Sequence, residues 1–486
     1  MANIWLKKDI AQLVRDASLD EKGLKRTIGA WGLIALGIGA IIGAGLFTST
    51  AEAIGSHSGP AVSISFIIAG TGCALAGLCY AEFASMIPVA GSAYTYAYAT
   101  MGEFIAWIIG WDLVLEYGVA SAKVATSWSE YFGKLMSNVF HIQIPFEFSH
   151  SPFQTSSDGI HGMINLPALF IILLMSVVLM RGMKGSSVVN GIIVVVKVGI
   201  VLLFIGFGWR FINPDNLVPY IPPNTTGVSG EFGWTGIFAG ASVVFFAFIG
   251  FDAVSTAAQE AKNPQRDMPK GILLSLLICV VLYILFAHVL AGVANYKEFR
   301  TVGEEASVAY VIDTYMTNYG WLSILVTVAI LAGFSSVILV MLMGQSRVFY
   351  SMSNDGLVPN VFSQLHPKFK TPWKSNQLFF VFVGLIAAFV PASIISDMTV
   401  IGTLFAFVLV CLGIIVLRRT DPSSPRPFRT PWVPVVPVLG VMVCTGLIYT
   451  LGVANWLRLI IWLVIGIFIY IGYGIRNSKL QKGNTA

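Results

Sequence analysis

Residues 39–50 read "GAIIGAGLFTST", and they set three glycines (Gly39, Gly43 and Gly45) near the start of a long apolar segment. Two structures fit this spacing. Gly39 and Gly43 could form a small-xxx-small face on which another helix packs. Alternatively the helix breaks there, which in hydrocarbon is tolerated only where bare backbone lines a cavity or is buried in protein. A phosphate-binding glycine loop is excluded: "GIGAIIGAG" (residues 37–45) does not fit G-x-G-x-x-G, and no strand or ribose-binding acid accompanies it.

The rest of the chain explains why hydrocarbon is the relevant solvent. Of its 486 residues, 56% are hydrophobic and only 11% charged, against roughly 25% charged in soluble domains. A run of about 20 apolar residues spans a bilayer core, and such runs begin near Thr27, Pro60, Met101, Gly162, Ser186, Trp234, Pro269, Tyr319, Asn376, Ser396, Trp432 and Ala454. The expected fold is therefore an all-α integral membrane protein with twelve transmembrane helices. The first 28 residues are too polar for a cleavable signal peptide. Cys73, Cys79, Cys279, Cys411 and Cys444 all lie in apolar runs, so neither disulfides nor a metal site is expected.

An even number of spans puts both termini on one side. With that side assigned to the loops in alternation, 22 of the 29 Lys and Arg residues fall on it. Six fall opposite (Lys123, Lys134, Arg210, Lys297, Arg300 and Arg458), and Lys197 lies within a span. Basic residues stay in the cytoplasm, so both termini are expected inside a plasma (inner) membrane. The net charge of +5 then reports topology, and no nucleic-acid partner is implied.

Spans one to five occupy residues 27–209 and spans six to ten residues 232–418, two blocks of nearly equal length. Five is odd, so the second block enters the membrane from the opposite side, the organisation of an inverted repeat. Spans eleven and twelve occupy 430–475, between a tail of residues 1–26 and another of 476–486. The first helix of block two carries a matching irregularity, Gly250 followed by Asp252. Paired breaks in corresponding helices point to a substrate site between the repeats.

Ionisable residues at membrane depth are costly and are functional candidates by default. Lys197 lies about eleven residues into span five, which places it near the midplane at 1.5 Å per residue. It is expected to load and release a proton, or else to hold backbone carbonyls as a permanent cation. Asp252 could take a proton or cap the following half-helix. Glu116, at mid-depth in span three, could attract a substrate ammonium or pair with another helix. Glu82, near the cytoplasmic end of span two, reads as an inner-gate or structural ion pair, not as a substrate contact. His288 stands alone on its helix and reads as a core residue. No nucleotide loop, metal-spaced cluster or nucleophile triad accompanies these groups, so no enzyme is expected.

Four stretches then resemble the amino acid–polyamine–organocation transporters: "GIGAIIGAGLF", "CYAEFASMIPVAGSAYTYAY", "FFAFIGFDAVSTAAQEAKNPQRDMPKGI" and "QSRVFYSMSNDGLVP". Their order and spacing are similar over about residues 25 to 475, most closely to bacterial members of the cationic amino-acid transporter branch. Longer members of that branch carry fourteen spans, two more than this chain. The resemblance implies the 5+5 inverted-repeat fold shared with LeuT, with helices 1 and 6 discontinuous. It implies that the amides of Gly43, Ala44 and Gly45 receive an amino acid's carboxylate, and that the carbonyls of Ile41, Phe246, Ala247 and Ile249 receive its ammonium. Lys197 matches a lysine that replaces the sodium ion in some proton-driven relatives, next to carbonyls near Ile41 and to Ser335 or Ser336. Phe246 or Phe251 is the expected aromatic gate.

Met341 and Met343 are bulky and apolar, which favours small or medium neutral amino acids over cationic ones, although Glu116 would suit the latter. The expected activity is import of L-amino acids by proton symport with alternating access, without a cofactor and driven by the proton gradient. An obligate exchanger is the alternative, and a non-transporting sensor a remote one. The lipid bilayer and protons are the expected partners. The sequence leaves open any oligomer or small membrane subunit.

Overall fold

The computed structural model describes residues 3–10, 13, 28–89, 91–156, 158–181, 186–302, 307–316, 319–369 and 371–483. Most of the tail at 1–26, the expected helix edge at Thr27, and residues 484–486 lie outside them. Among the described residues the regular structure is helical, apart from two isolated bridges, Ile28 with Ala261 and Thr155 with His161.

The principal helices are α1 (Ala30–Ile41), α2 (Val62–Met86), α3 (Ser92–Thr100), α4 (Glu103–Leu113), α5 (Ala120–Phe140), α6 (Leu166–Arg181), α7 (Ser186–Gly208), α8 (Gly233–Phe245), α9 (Pro264–Val293), α10 (Gly320–Asn354), α11 (Trp373–Phe389), α12 (Ala392–Thr420), α13 (Val435–Thr450) and α14 (Val453–Ile469). A π-helical turn, Val114–Val119, joins α4 to α5 without interruption. Among the described residues, eight helical stretches of 21 to 42 residues are long and apolar enough to cross a membrane, and α1, α6, α11 and α13 are shorter apolar helices. The outer surface is itself apolar: Leu277, Ile460 and Phe468 are all more than half exposed. A surface of this kind is stable against lipid and not against water. The chain is a multi-pass membrane protein.

Two edges differ from the sequence expectation for physical reasons. The helix expected from Pro269 begins at Pro264, which occupies the first helical turn, where a missing N–H costs nothing; Pro269 lies inside the helix. Lys123, assigned to a loop from its position in sequence, lies in α5 and is fully buried. A stretch with as many small and polar residues as "ASAKVATSWSEY" does not read as an apolar span, yet it packs in the interior against α10.

The broken helices sit at the centre of this arrangement. α1 stops at Ile41, Ile42 is extended (φ −71°, ψ 102°), and helix resumes at Gly45–Ser49. α8 ends at Phe245, continues as one 3₁₀ turn, turns at Ile249 (ψ 134°) and Gly250 (φ 108°), and resumes at Asp252–Glu260. A φ of 108° is freely open only to glycine. The far ends of the two segments are tied together: the Ile28 amide donates to the Glu260 carbonyl (2.9 Å) and the Lys262 amide to the Ile28 carbonyl (2.8 Å). α9 packs along both α1 and α2.

Candidate functional site

The two breaks touch. A methyl group on Gly45 would overlap the Ala247 backbone, and one on Gly250 would lie 3.1 Å from the Ala40 carbonyl oxygen. Glycine at both positions is therefore required by close approach of backbone to backbone. Between them lies a small cavity of about 10 Å³ lined by Ile41, Gly43, Ala44, Gly45, Phe246, Ile249 and Met341, together with Ala40, Ala120, Val124 and Val337. That is room for about one water, so the walls close on one another in this conformation and any larger ligand needs them to part.

The backbone supplies the cavity with opposite polarities. Helix termini leave their first N–H groups and last C=O groups without intrahelical partners. The amides at Gly43 to Gly45 begin the resumed helix, whose positive end favours an anion. The carbonyls that end α1 and the 3₁₀ turn of Phe246–Phe248 favour a cation or a donor. Two of these carbonyls are already bridged: the Tyr283 hydroxyl, from α9, lies 2.8 Å from the Ile41 oxygen and 3.1 Å from the Ala247 oxygen. Tyr283 was missed at the level of sequence. Its signal is a tyrosine in the otherwise apolar run "CVVLYILF", since a buried Tyr hydroxyl needs a partner.

Lys197 reaches the same break from behind. Its Nζ donates to the carbonyls of Gly39 (2.8 Å) and Ile42 (2.9 Å), and only 2% of the residue is exposed. These are terminal carbonyls of α1, so the ammonium sits at that helix's negative end. The Ile41 carbonyl between them accepts from Tyr283 instead. The lysine stem passes Gly333 of α10, where a Cβ would stand 2.8 Å from its Cε, so Gly333 also joins the site. Ser335 donates back to Leu331 of its own helix (2.9 Å). Ser336 is buried one residue further along α10.

Other candidates lie outside the cavity. Phe251 is fully buried against Phe407 (ring centroids 5.0 Å apart) and Tyr80 (5.7 Å); Phe246 is the aromatic residue at the cavity wall. Glu116 and Asp252 do not line it either, but face one another beyond it. Both are fully buried, and Asp252 accepts from the Tyr117 hydroxyl. Among the described residues no hydrogen-bond donor reaches either Glu116 oxygen or Asp252 Oδ1. Asp112, four residues before Glu116 and hence on the same helix face, is also buried, and both its oxygens are unpaired among the described residues. It is an intramembrane acid that the sequence showed in "WDLVLEY" and that was not singled out. Gln345 of α10 is fully buried, and among the described residues its carboxamide has no partner; the oxygen lies near Gly118. Glu116 sits in the π-helical turn, a distortion frequent at functional sites.

Glu82 behaves differently. Arg418 of α12 holds it bidentately (2.9 Å twice), Arg426 lies 3.2 Å away, and the Thr430 amide donates at 2.7 Å. Arg347 of α10 pairs with Glu260 at the end of the second broken helix. Lys8 and the Tyr94 hydroxyl (2.6 Å) both bind Asp355. Among the described residues no group of three or more His, Cys, Asp or Glu side chains is arranged to hold a metal ion.

Comparison with known proteins shows the family. A family profile described as amino acid permease matches residues 28–471. The chain is 42% identical over 480 residues to the branched-chain amino acid permease BcaP of Bacillus subtilis, covering 99% of both proteins. It is 40% identical over 482 residues to a methylthioribose transporter of the same organism, covering 99% of this chain and all of the relative. It is 34% identical over 403 residues to the vacuolar cationic amino acid transporter 4 of Arabidopsis thaliana, covering 82% of this chain and 64% of that protein. These relatives are named as transporters or permeases, not as enzymes. The chain belongs to the amino acid permease family of the amino acid–polyamine–organocation superfamily.

Proposed function

We propose that the chain imports L-amino acids across the plasma membrane by proton symport. In this reading it has twelve spans, both termini in the cytoplasm, and a 5+5 inverted repeat formed by residues 27–209 and 232–418. The amides of Gly43, Ala44 and Gly45 take the substrate carboxylate, and the carbonyls of Ile41, Phe246, Ala247 and Ile249 take its ammonium. The observation that carries the reading is the pair of bonds from Lys197 to Gly39 and Ile42. The lysine grips the stub of α1 within a few residues of the amides assigned to the carboxylate. Loss of its proton weakens that grip and frees the inner half of the helix to move. Proton release and substrate release then share one hinge. A second candidate for carrying the proton is the buried Asp252, with the equally buried Glu116 beside it.

The substrate is a small or medium neutral amino acid. Around the cavity the side chains are Ala, Ile, Val, Phe and Met, with no charged group, and Met341 is part of its wall. The name of the Bacillus subtilis relative, a branched-chain amino acid permease, points the same way. The test is uptake of a panel of radiolabelled amino acids, with methylthioribose included, into proteoliposomes at two external pH values. Neutral amino acids entering faster at the lower external pH, with no amino acid inside, are expected. Uptake unaffected by collapse of the proton gradient defeats the symport reading. Lys197→Met is expected to abolish proton-driven uptake while leaving binding.

One observation favours a second reading. The same two bonds suit a lysine that stays charged and merely caps α1, in which case the protein is an obligate exchanger. Uptake that requires internal amino acid supports this alternative.

A further inference from the structure

A larger cavity lies away from the two breaks, and transport as read above does not use it. It measures about 750 Å³ and opens between α1, the first turns of α9 and the segment around Phe428. Trp31, Ile34, Leu273 and Phe428 form apolar walls, and Arg266 and Lys270 stand at its polar end. Both basic side chains are exposed, and among the described residues neither forms an ion pair with Asp or Glu. They sit in the first two turns of a 30-residue helix, at its positive end. Trp31, 81% exposed, has the amphipathic ring that favours the membrane–water boundary.

Above the basic pair the lipid-facing side of α9 continues as one stripe. Leu274, Leu277, Ile278, Val281 and Leu285 recur at helical spacing, and each is between 37% and 58% exposed. Eleven residues from Leu274 to Leu285 rise roughly 16 Å, about half of the ~30 Å hydrocarbon core and so the depth of one leaflet. Two unpaired cations, an interfacial tryptophan and a leaflet-long apolar track in line with them describe an amphiphile with an anionic head.

We propose that the groove between α1 and α9 binds an anionic phospholipid, its phosphate held by Arg266 and Lys270 and one acyl chain laid along Leu274 to Leu285. Arg suits the phosphate by its forked donors and Lys by its point charge. A neutral zwitterionic lipid offers the same chains, but its choline nitrogen opposes the two cations. Because Trp31 and Ile34 belong to α1, a bound lipid props that half-helix against α9; this last step rests on the alternating-access reading, whereas binding itself does not.

The test uses the full chain in nanodiscs of phosphatidylcholine doped with brominated lipid. Bromines quench nearby tryptophan, and the contribution of Trp31 is isolated by comparison with Trp31→Phe. Brominated phosphatidylglycerol is expected to quench Trp31 at a mole fraction at least about tenfold lower than brominated phosphatidylcholine, and Arg266→Gln with Lys270→Gln to erase that preference. Arg266→Lys, which keeps the charge, should retain most of it. Equal quenching by the two lipids in the native protein overturns the proposal, and this measurement needs no variant at the basic pair. A preference that survives in the double variant also overturns it, since the head group is then held elsewhere. The outcome is independent of transport: a protein that fails every uptake assay still passes or fails here.

Discussion

Glu82 and Glu116 are both fully buried in apolar helices, yet their oxygens meet opposite surroundings. Glu82 is held by two guanidinium groups and a backbone amide, and it joins α2 to α12 and the segment before α13. Around it, Arg347 with Glu260 and Lys8 with Asp355 fasten the same end of the molecule. Near the breaks the pattern inverts. Glu116, Asp112 and Gln345 have no partner among the described residues, Asp252 has one oxygen satisfied, and Lys197 relies on backbone carbonyls alone. A buried polar group left unpaired is destabilising, so the paired rim around Glu82 adds to stability where the middle layer around Glu116 costs it.

The largest expected effect breaks the rim. Glu82→Ala leaves Arg418 and the buried Arg426 uncompensated, which should lower stability by about 3–5 kcal/mol; thermal melting in detergent measures it. A melting point within error of the native protein would mean that the ion pair is idle. Glu116→Gln is the matched change in the middle layer. Because Glu116 has no charge partner to lose, stability should stay within about 1 kcal/mol, while proton-driven uptake falls tenfold or more. Equal loss of stability in the two variants would erase the contrast.

A smaller effect is expected from Tyr283→Phe. It removes the donor shared by the Ile41 and Ala247 carbonyls, a hydrogen bond worth roughly 1 kcal/mol, and should weaken substrate affinity a few-fold with the fold intact; equilibrium binding of the transported amino acid reads it. Smallest in energy, but most informative about substrate, is Met341→Ser. The shorter side chain enlarges the cavity and is expected to shift the uptake ratio toward larger amino acids, including cationic ones, with little change for the smallest. An unchanged ratio would remove Met341 from the specificity wall.

The parts that could be read from sequence are those written in local pattern. Gly43 and Gly45 on one segment and Gly250 on another each mark a break in their own stretch of chain, and the structure sets both breaks around one cavity. Lys197 was visible because a single charge in "VVVKVGIVLLF" has no local excuse. What could not be read is which way each helix faces. Lys123 looked like a loop residue because its neighbours are small and polar, although α5 is interior. Phe251 and Phe246 are five residues apart and equally aromatic, yet one packs against Tyr80 and Phe407 and the other reaches the cavity.

The sequence by itself therefore determined the solvent of this protein, its helical character, its family and the two places where helix gives way. Hydropathy and glycine content act on the residues that carry them, so they need no partner to be legible. Only the tertiary structure decided that Lys197 holds Gly39 and Ile42, that Tyr283 takes the Ile41 carbonyl, and that Glu82 is paired where Glu116 is not. Those outcomes depend on how distant helices are rotated and offset against one another, and a side chain's partner is fixed by that packing, not by its place in the chain.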